Sequence, residues 1–102
     1  MSNNNYRQVF GPIYQGAHEQ ISYTFDWSAK GTPGSPVITL EVDELWTSAS
    51  ANLSGSSLLI SGCTVTSPIV YNLVEGTNYR LSCRATFVDS TYEVYGIIMG
   101  EH

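Results

Sequence analysis

The segment from Leu73 to Phe87 constrains the fold of this chain more than any other stretch. From Tyr79 onward, apolar and polar residues alternate one by one as far as Phe87. Side chains of a β-strand point alternately to its two faces, so this period of two predicts a strand with one buried face. The residues on that face would be Tyr79, Leu81, Cys83, Ala85 and Phe87.

A short corner precedes this strand, with Leu73 at its start, Gly76 within it and Tyr79 at its end. This order resembles the crossing between the sheets of immunoglobulin-like and fibronectin type III-like sandwiches, where a tyrosine hydroxyl bonds back to the corner backbone. A buried phenol must also satisfy its polar end. We therefore expect Tyr79 to be buried, with its hydroxyl bonded to backbone near Glu75 or Gly76.

The same alternation predicts core-facing strands over residues 21–28 and 37–42, and a final hairpin that joins the strand ending at residue 87 to one over residues 92–99. Ile69, Tyr71 and Leu73 should share a face and lead into the corner. Alternation places one set of side chains at the centre of the predicted core. These are Phe25, Trp27, Leu40, Leu81 and Cys83.

The remaining segments are short or rich in turn-forming residues. Residues 6–10 predict an edge strand stopped by Gly11-Pro12, and residues 29–36 a loop. The serine-rich residues 48–57 predict a flexible connection. Residues 58–66 predict one strand with a bulge at its Ser-Gly pair.

These patterns together predict an all-β chain that folds as an antiparallel β-sandwich of about seven strands, of the immunoglobulin-like or fibronectin type III-like kind. We expect residues 1–102 to form a single domain with a short flexible arm over residues 1–5. Cys63 and Cys83 should both stay reduced, because alternation turns only the second into the core.

The balance of charge limits the partners of the chain. Nine acidic and four basic residues give a formal net charge of -5. So few basic residues cannot neutralise a row of phosphates or an anionic surface, and we expect neither nucleic acid nor a membrane as a partner. No secretory signal or long apolar run stands in the sequence, so we expect the chain to be made in the cytosol and to be kept or assembled there.

Motifs of catalysis and ligand binding do not occur in the sequence, and we expect no enzyme activity, no cofactor and no metal. His18 has no second histidine nearby, and His102 is the last residue. The acidic residues Glu41, Asp43 and Glu44 could join Asp26 or Asp89 around calcium, but they lack the spacing of a calcium loop. A solvated acidic face is the preferred interpretation.

Four stretches of the chain resemble small structural proteins of tailed phages and prophages with a single immunoglobulin-like or fibronectin-like domain. They are Phe25-Asp26-Trp27-Ser28, Asp43-Glu44-Leu45-Trp46, the corner from Leu73 through Gly76 and Tyr79 to Leu81, and residues 92–99. The resemblance implies a virion component of the head-decoration, head-tail or fibre-attachment kind. Its partners would be other virion proteins and further copies of itself.

Self-association is expected to use sheet edges, namely the Asn-rich arm and the final strand, whose interface residues would be Tyr95, Ile97 and Met99. Two alternatives stay open. A carbohydrate-binding module would display Trp46, Tyr92 and Tyr95 as a platform for sugar rings. A spacer domain of a larger enzyme would be a monomer without a partner.

Overall fold

The computed structural model describes residues 6–42, 47–55, 58–88 and 90–101 as an all-β fold of two facing sheets. The larger sheet has the strand order β1-β8-β7-β3-β4 and the smaller sheet the order β2-β6-β5. Eight strands are found in these ranges rather than about seven. Their bounds are β1 Tyr6–Gly16, β2 Thr24–Asp26, β3 Gly34–Val42, β4 Thr47–Ser48, β5 Leu59–Ser61, β6 Thr64–Thr66, β7 Asn78–Thr86 and β8 Thr91–Glu101.

The core lies between the two sheets and contains the side chains that the alternation predicts to be buried. The five residues expected at its centre, which are Phe25, Trp27, Leu40, Leu81 and Cys83, are each at most 4% exposed. Trp27 packs on Phe87 with ring centroids 5.3 Å apart, which closes one end of the core. The larger sheet supplies most of the backbone pairing, and its two longest strands lie side by side as β1 and β8.

The prediction that the first strand stops at Gly11-Pro12 is wrong. Strand β1 runs on to Gly16 and pairs parallel with β8 along its length, with register shifts on both sides of Phe10. A proline can lie within a strand at a sheet edge, because its missing N–H then costs no ladder hydrogen bond. Strand β1 is such an edge.

Residues 58–66 form a hairpin rather than one bulged strand. Strands β5 and β6 pair antiparallel with Ser61 opposite Thr64, so Gly62 and Cys63 make the turn between them. The Gly62 backbone has φ of +59°, a conformation that glycine adopts without a side-chain clash. The predicted flexible connection over residues 48–57 contains regular structure, since its first residue, Ser48, ends β4 and a 3₁₀ turn spans Ser50–Asn52.

The corner before β7 is formed much as the sequence indicated. Leu73 and Tyr79 are each 2% exposed, and the Val74 N–H donates a hydrogen bond of 2.9 Å to the Tyr79 hydroxyl. The backbone partner is thus Val74 rather than Glu75 or Gly76. The Gly76 N–H donates to the Gly100 carbonyl at 2.9 Å, which ties the corner to the end of β8. In the segment before it, Leu73 is buried while Ile69 is 37% exposed, so the expectation that Ile69, Tyr71 and Leu73 share a face is wrong.

Replacing Tyr79 with phenylalanine should lower the free energy of unfolding by roughly 0.5–2 kcal/mol, because the Val74 N–H would lose its acceptor. Urea denaturation of the wild-type and variant proteins measures this difference. Tyr14→Phe is the matched control, since Tyr14 is 60% exposed and should show little change. Equal losses in the two variants would contradict the role of the corner hydrogen bond.

Three sequence expectations fall outside the described residues. They are the flexible arm over residues 1–5, the carboxylates of Asp43, Glu44 and Asp89 in the calcium alternative, and the Trp46 ring of the carbohydrate-binding alternative. The final hairpin is present, with Thr86 opposite Thr91.

Candidate functional site

The three residues expected at an interface share one face of the larger sheet. Tyr95, Ile97 and Met99 alternate along β8 with buried residues, so they point away from the core and are half-buried. Tyr14 on β1 lies opposite Met99 in the register and is 60% exposed. We call these four residues the outer stripe. It is a continuous apolar and aromatic surface along the middle of one sheet face.

Charges beside the outer stripe nearly cancel. The Arg80 guanidinium donates to the Glu41 carboxylate at 2.8 and 3.0 Å and lies 5.9 Å from the centre of the Tyr95 ring. Arg84 and Glu93 stand opposite each other in the register of β7 and β8. Glu101 adds one acid at the end of β8, so the described charges of this face, two basic and three acidic, sum to -1 in a chain whose total is -5. The face can therefore approach a neutral partner without strong repulsion.

The expectation that the final strand offers a sheet edge is wrong. Strand β8 lies between β1 and β7 and pairs with both of them. Its backbone groups are therefore engaged, and only the side chains of the outer stripe can meet a partner. At the end of β8, Ile98 points into the core, whereas Ile97 and Met99 point outward and belong to the outer stripe. The strand is therefore apolar on both faces.

A cleft of about 370 Å³ opens between β1 and β2, where the edges of the two sheets meet. Its floor is apolar, and Lys30 and Asp26 stand at its mouth. Lys30 Nζ lies 4.3 Å from the centre of the Tyr92 ring. Hydrogen bonds from Ser28 hold the pKa of Asp26 below its usual value. The cleft is lined by Val9, Phe10, Thr24, Phe25, Asp26, Trp27, Ala29, Lys30, Tyr92 and Val94.

Chemically, the cleft offers apolar contact with one cation and one anion at its rim. Neither cysteine nor histidine is among its described lining residues. No group of three residues able to hold a metal ion occurs in the described part of the chain. Glu41, part of the suggested acidic cluster, is instead paired with Arg80. In the same ranges, the structure contains no helix long and apolar enough to cross a membrane.

The aromatic platform of the carbohydrate-binding alternative is not formed by its two described members. Tyr92 packs against Phe87 on the core side of the larger sheet, with ring centroids 5.8 Å apart. Tyr95 lies on the outer side, because it is three positions along the strand from Tyr92, and residues an odd number of positions apart point to opposite faces. The two rings therefore cannot stack on one sugar chain. Trp46 lies outside the described residues.

The structure contains a buried polar cluster around Gln15 that the sequence pattern does not predict. Gln15 is fully buried, and its side chain accepts from the Tyr23 hydroxyl at 2.6 Å and donates to the Val70 carbonyl at 2.7 Å. Burial, with a smaller contribution from Glu19, raises the pKa of Tyr23 to about 12. Tyr23 thus stays a donor at neutral pH. Nothing in the pattern marks Gln15, which stands in a polar stretch that suggests a solvated link.

The two cysteines are separate thiols in different environments. Cys63 is half-buried in the β5–β6 turn, whereas Cys83 is fully buried in β7. Burial raises the pKa of the Cys83 thiol to about 11, although the neighbouring Trp27 side chain acts in the opposite direction. The nucleophilic thiolate of Cys83 is therefore scarce at neutral pH.

We expect Cys63 alone to react when the native protein meets a thiol reagent near neutral pH, and both cysteines to react after unfolding without reductant. Mass spectrometry of the labelled protein identifies the modified residue, and Cys63→Ser is the control that should abolish native labelling. Faster labelling of Cys83 than of Cys63, or an intact mass lower by a pair of hydrogens, would contradict this prediction.

Comparison with known proteins finds no family model, no curated protein and no solved structure that matches the chain. The structure defines only a class, an all-β sandwich with an apolar stripe on one face of its larger sheet.

Proposed function

We propose that this chain is a non-enzymatic structural protein of a tailed-phage virion that works by self-association and by docking on other virion proteins. The observation that carries the proposal is the outer stripe of Tyr14, Tyr95, Ile97 and Met99. Apolar and aromatic side chains on a sheet face, flanked by paired charges, are suited to a protein interface. The resemblance of the sequence to small phage structural proteins supports the virion as its setting.

We further propose that the sandwich is of the immunoglobulin-like kind. Strands β2, β6 and β5 would correspond to strands B, E and D of that fold, and β3, β7 and β8 to strands C, F and G. The corner hydrogen bond to Tyr79 supports this correspondence. A departure is that β1 joins the sheet of β8 along its whole length rather than pairing with β2.

The proposal is tested on particles released from cells that carry the gene. Mass spectrometry of density-purified virions should detect the chain, and the gene should lie among head and tail genes. Absence of the chain from purified particles would overturn the proposal. A gene located beside carbohydrate-degrading enzymes would instead favour the sugar-binding or spacer alternative.

The role of the outer stripe is tested by Ile97→Lys, which adds a charge to the middle of the stripe. Its matched control is Val88→Lys, which adds the same charge at a residue that is 99% exposed in the last hairpin. We expect Ile97→Lys to reduce incorporation into virions while Val88→Lys does not. The far-ultraviolet spectrum of both variants should remain that of a β-protein. Equal incorporation of the two variants would exclude the stripe as the docking surface.

A further inference from the structure

The free edges of the two sheets differ in how well they are protected against pairing with another chain. An unprotected edge strand presents backbone donors and acceptors to any extended segment, and proteins guard such edges with proline, bulges or charges. Strand β1 carries Pro12 and two register shifts, and the Gln8 side chain already donates to the carbonyls of Phe10 and Gly11. Strand β2 ends on the charged Asp26.

Strand β5 has none of these protections. It reads Leu59-Ile60-Ser61, without charge or proline, and it pairs without a register shift. Leu59 is 66% exposed and Ile60 is 48% exposed. Within the described part of the chain, β5 pairs only with β6. It is therefore an exposed apolar strand at the edge of the smaller sheet.

The distribution of charge indicates which occupant suits this edge. No charged residue occurs in residues 45–74, a segment that contains both β5 and β6. Two copies of the chain, each with a net charge of -5, repel each other over most orientations. The repulsion is weakest where the copies meet through this uncharged segment. Its edge strands are β4, which consists only of Thr47 and Ser48, and β5, which is longer and more apolar, so β5 is the edge at which a second copy can approach most easily.

We propose that β5 pairs antiparallel with β5 of a second copy, about a two-fold axis that passes beside Ile60. The pairing is self-complementary, as an interface about a two-fold axis requires. Ile60 would lie opposite Ile60 of the other copy, and Leu59 opposite Ser61. The two smaller sheets then join into one sheet of order β2-β6-β5-β5-β6-β2. This inference specifies the self-association in the proposed function, and it uses a surface distinct from the outer stripe.

The register is tested by engineered cysteines in a Cys63→Ser background. Directly opposite residues of an antiparallel pair have Cα atoms about 4.5–5.5 Å apart, within the range that a disulfide can span. Ile60→Cys should therefore form a covalent dimer under mild oxidation. Leu59→Cys alone should form little dimer, but its mixture with Ser61→Cys should cross-link. Equal cross-linking of Ile60→Cys and Leu59→Cys would indicate random contact and overturn the inference.

The energetic test is Leu59→Lys, because a lysine is a common guard on an edge strand and Leu59 is exposed enough to be replaced without unfolding the domain. Sedimentation at increasing protein concentration should show dimerisation weakened by roughly tenfold or more, a change of about 1.4 kcal/mol per factor of ten. Val88→Lys should leave dimerisation unchanged.

The outcomes separate this inference from the proposed function. If the wild-type protein dimerises and Leu59→Lys has no effect, the inference fails, whereas detection of the chain in virions still supports the proposed function. A wild-type protein that remains a monomer at high concentration also overturns the inference. Loss of the dimer in Leu59→Lys together with absence from virions would support the β5 pairing and overturn the virion role.

Discussion

Replacing Gln15 with leucine should lower the free energy of unfolding by about 2–5 kcal/mol, one of the two largest effects we expect from a single substitution. The side chain of Gln15 is fully buried, and its amide bonds to the Tyr23 hydroxyl and to the carbonyls of Val70 and Glu19. Leucine has a similar volume and fills the space. It leaves the buried Tyr23 hydroxyl without its acceptor, a loss of about 1–3 kcal/mol, and removes one donor each from the Val70 and Glu19 carbonyls, at about 0.5–1.5 kcal/mol each. The Val70 carbonyl keeps its hydrogen bond from the Ile21 N–H.

Urea denaturation of three further variants distinguishes the loss of the Gln15 hydrogen bonds from the effect of replacing any glutamine with leucine. Gln20→Leu is the matched control, because Gln20 is exposed in the link before β2 and should change stability by less than about 0.5 kcal/mol. Tyr23→Phe removes the partner hydroxyl. The double variant of Gln15→Leu with Tyr23→Phe should lose less than the sum of the single losses, since one unpaired group is removed. Strict additivity would contradict the hydrogen bond between the two side chains.

Replacing Gly96 with alanine should destabilise the domain by about 3 kcal/mol, at the upper end of the cost of overpacking a core. A Cβ atom at Gly96 would collide with the ring of Phe10, which crosses over β8 from the neighbouring strand. That ring also packs on Tyr23 and Phe25, with centroids 5.6 and 5.7 Å away. It therefore cannot move without disturbing the core.

Gly16→Ala is the matched control for this prediction, because an added Cβ atom there would make only ordinary contacts with the Glu19 side chain. Thermal or urea unfolding measures both variants. The double variant of Gly96→Ala with Phe10→Ala should lose less stability than the sum of the two single losses, since the ring that collides is then absent. Equal stability of the Gly16 and Gly96 variants would contradict the close packing of Phe10 over β8.

Long alternating segments let the sequence predict the all-β class, the corner and the core-facing strands. Strand β7 is nine residues long, so its period of two is unambiguous. The burial of Phe25 and Leu40 follows from the same alternation of apolar and polar residues. The hydrogen bond of Tyr79 could also be predicted, because alternation places its side chain in the core and a buried hydroxyl needs a partner.

Pairings between distant or very short strands were not predictable in the same way. Strands β5 and β6 have three residues each, too few to reveal a period, and the glycine between them suits a bulge as well as a turn. The position of β8 inside its sheet depends on parallel pairing with β1, about ninety residues earlier in the sequence, and no local pattern encodes such a neighbour. The Gln15 cluster depends on contacts of the same long range.

The parallel pairing of β1 with β8 also determines how the domain responds to tension. Tyr6 lies beside Glu93 and Gly16 beside Glu101, so the two strands run in the same direction for most of their length. A force that pulls Tyr6 and Glu101 apart acts along the strands rather than across them. The hydrogen bonds between β1 and β8 must then slide and break together instead of opening one after another from an end. The two strands thus act as a mechanical clamp between Tyr6 and Glu101, and the domain resists a pulling load on these two residues without first unzipping.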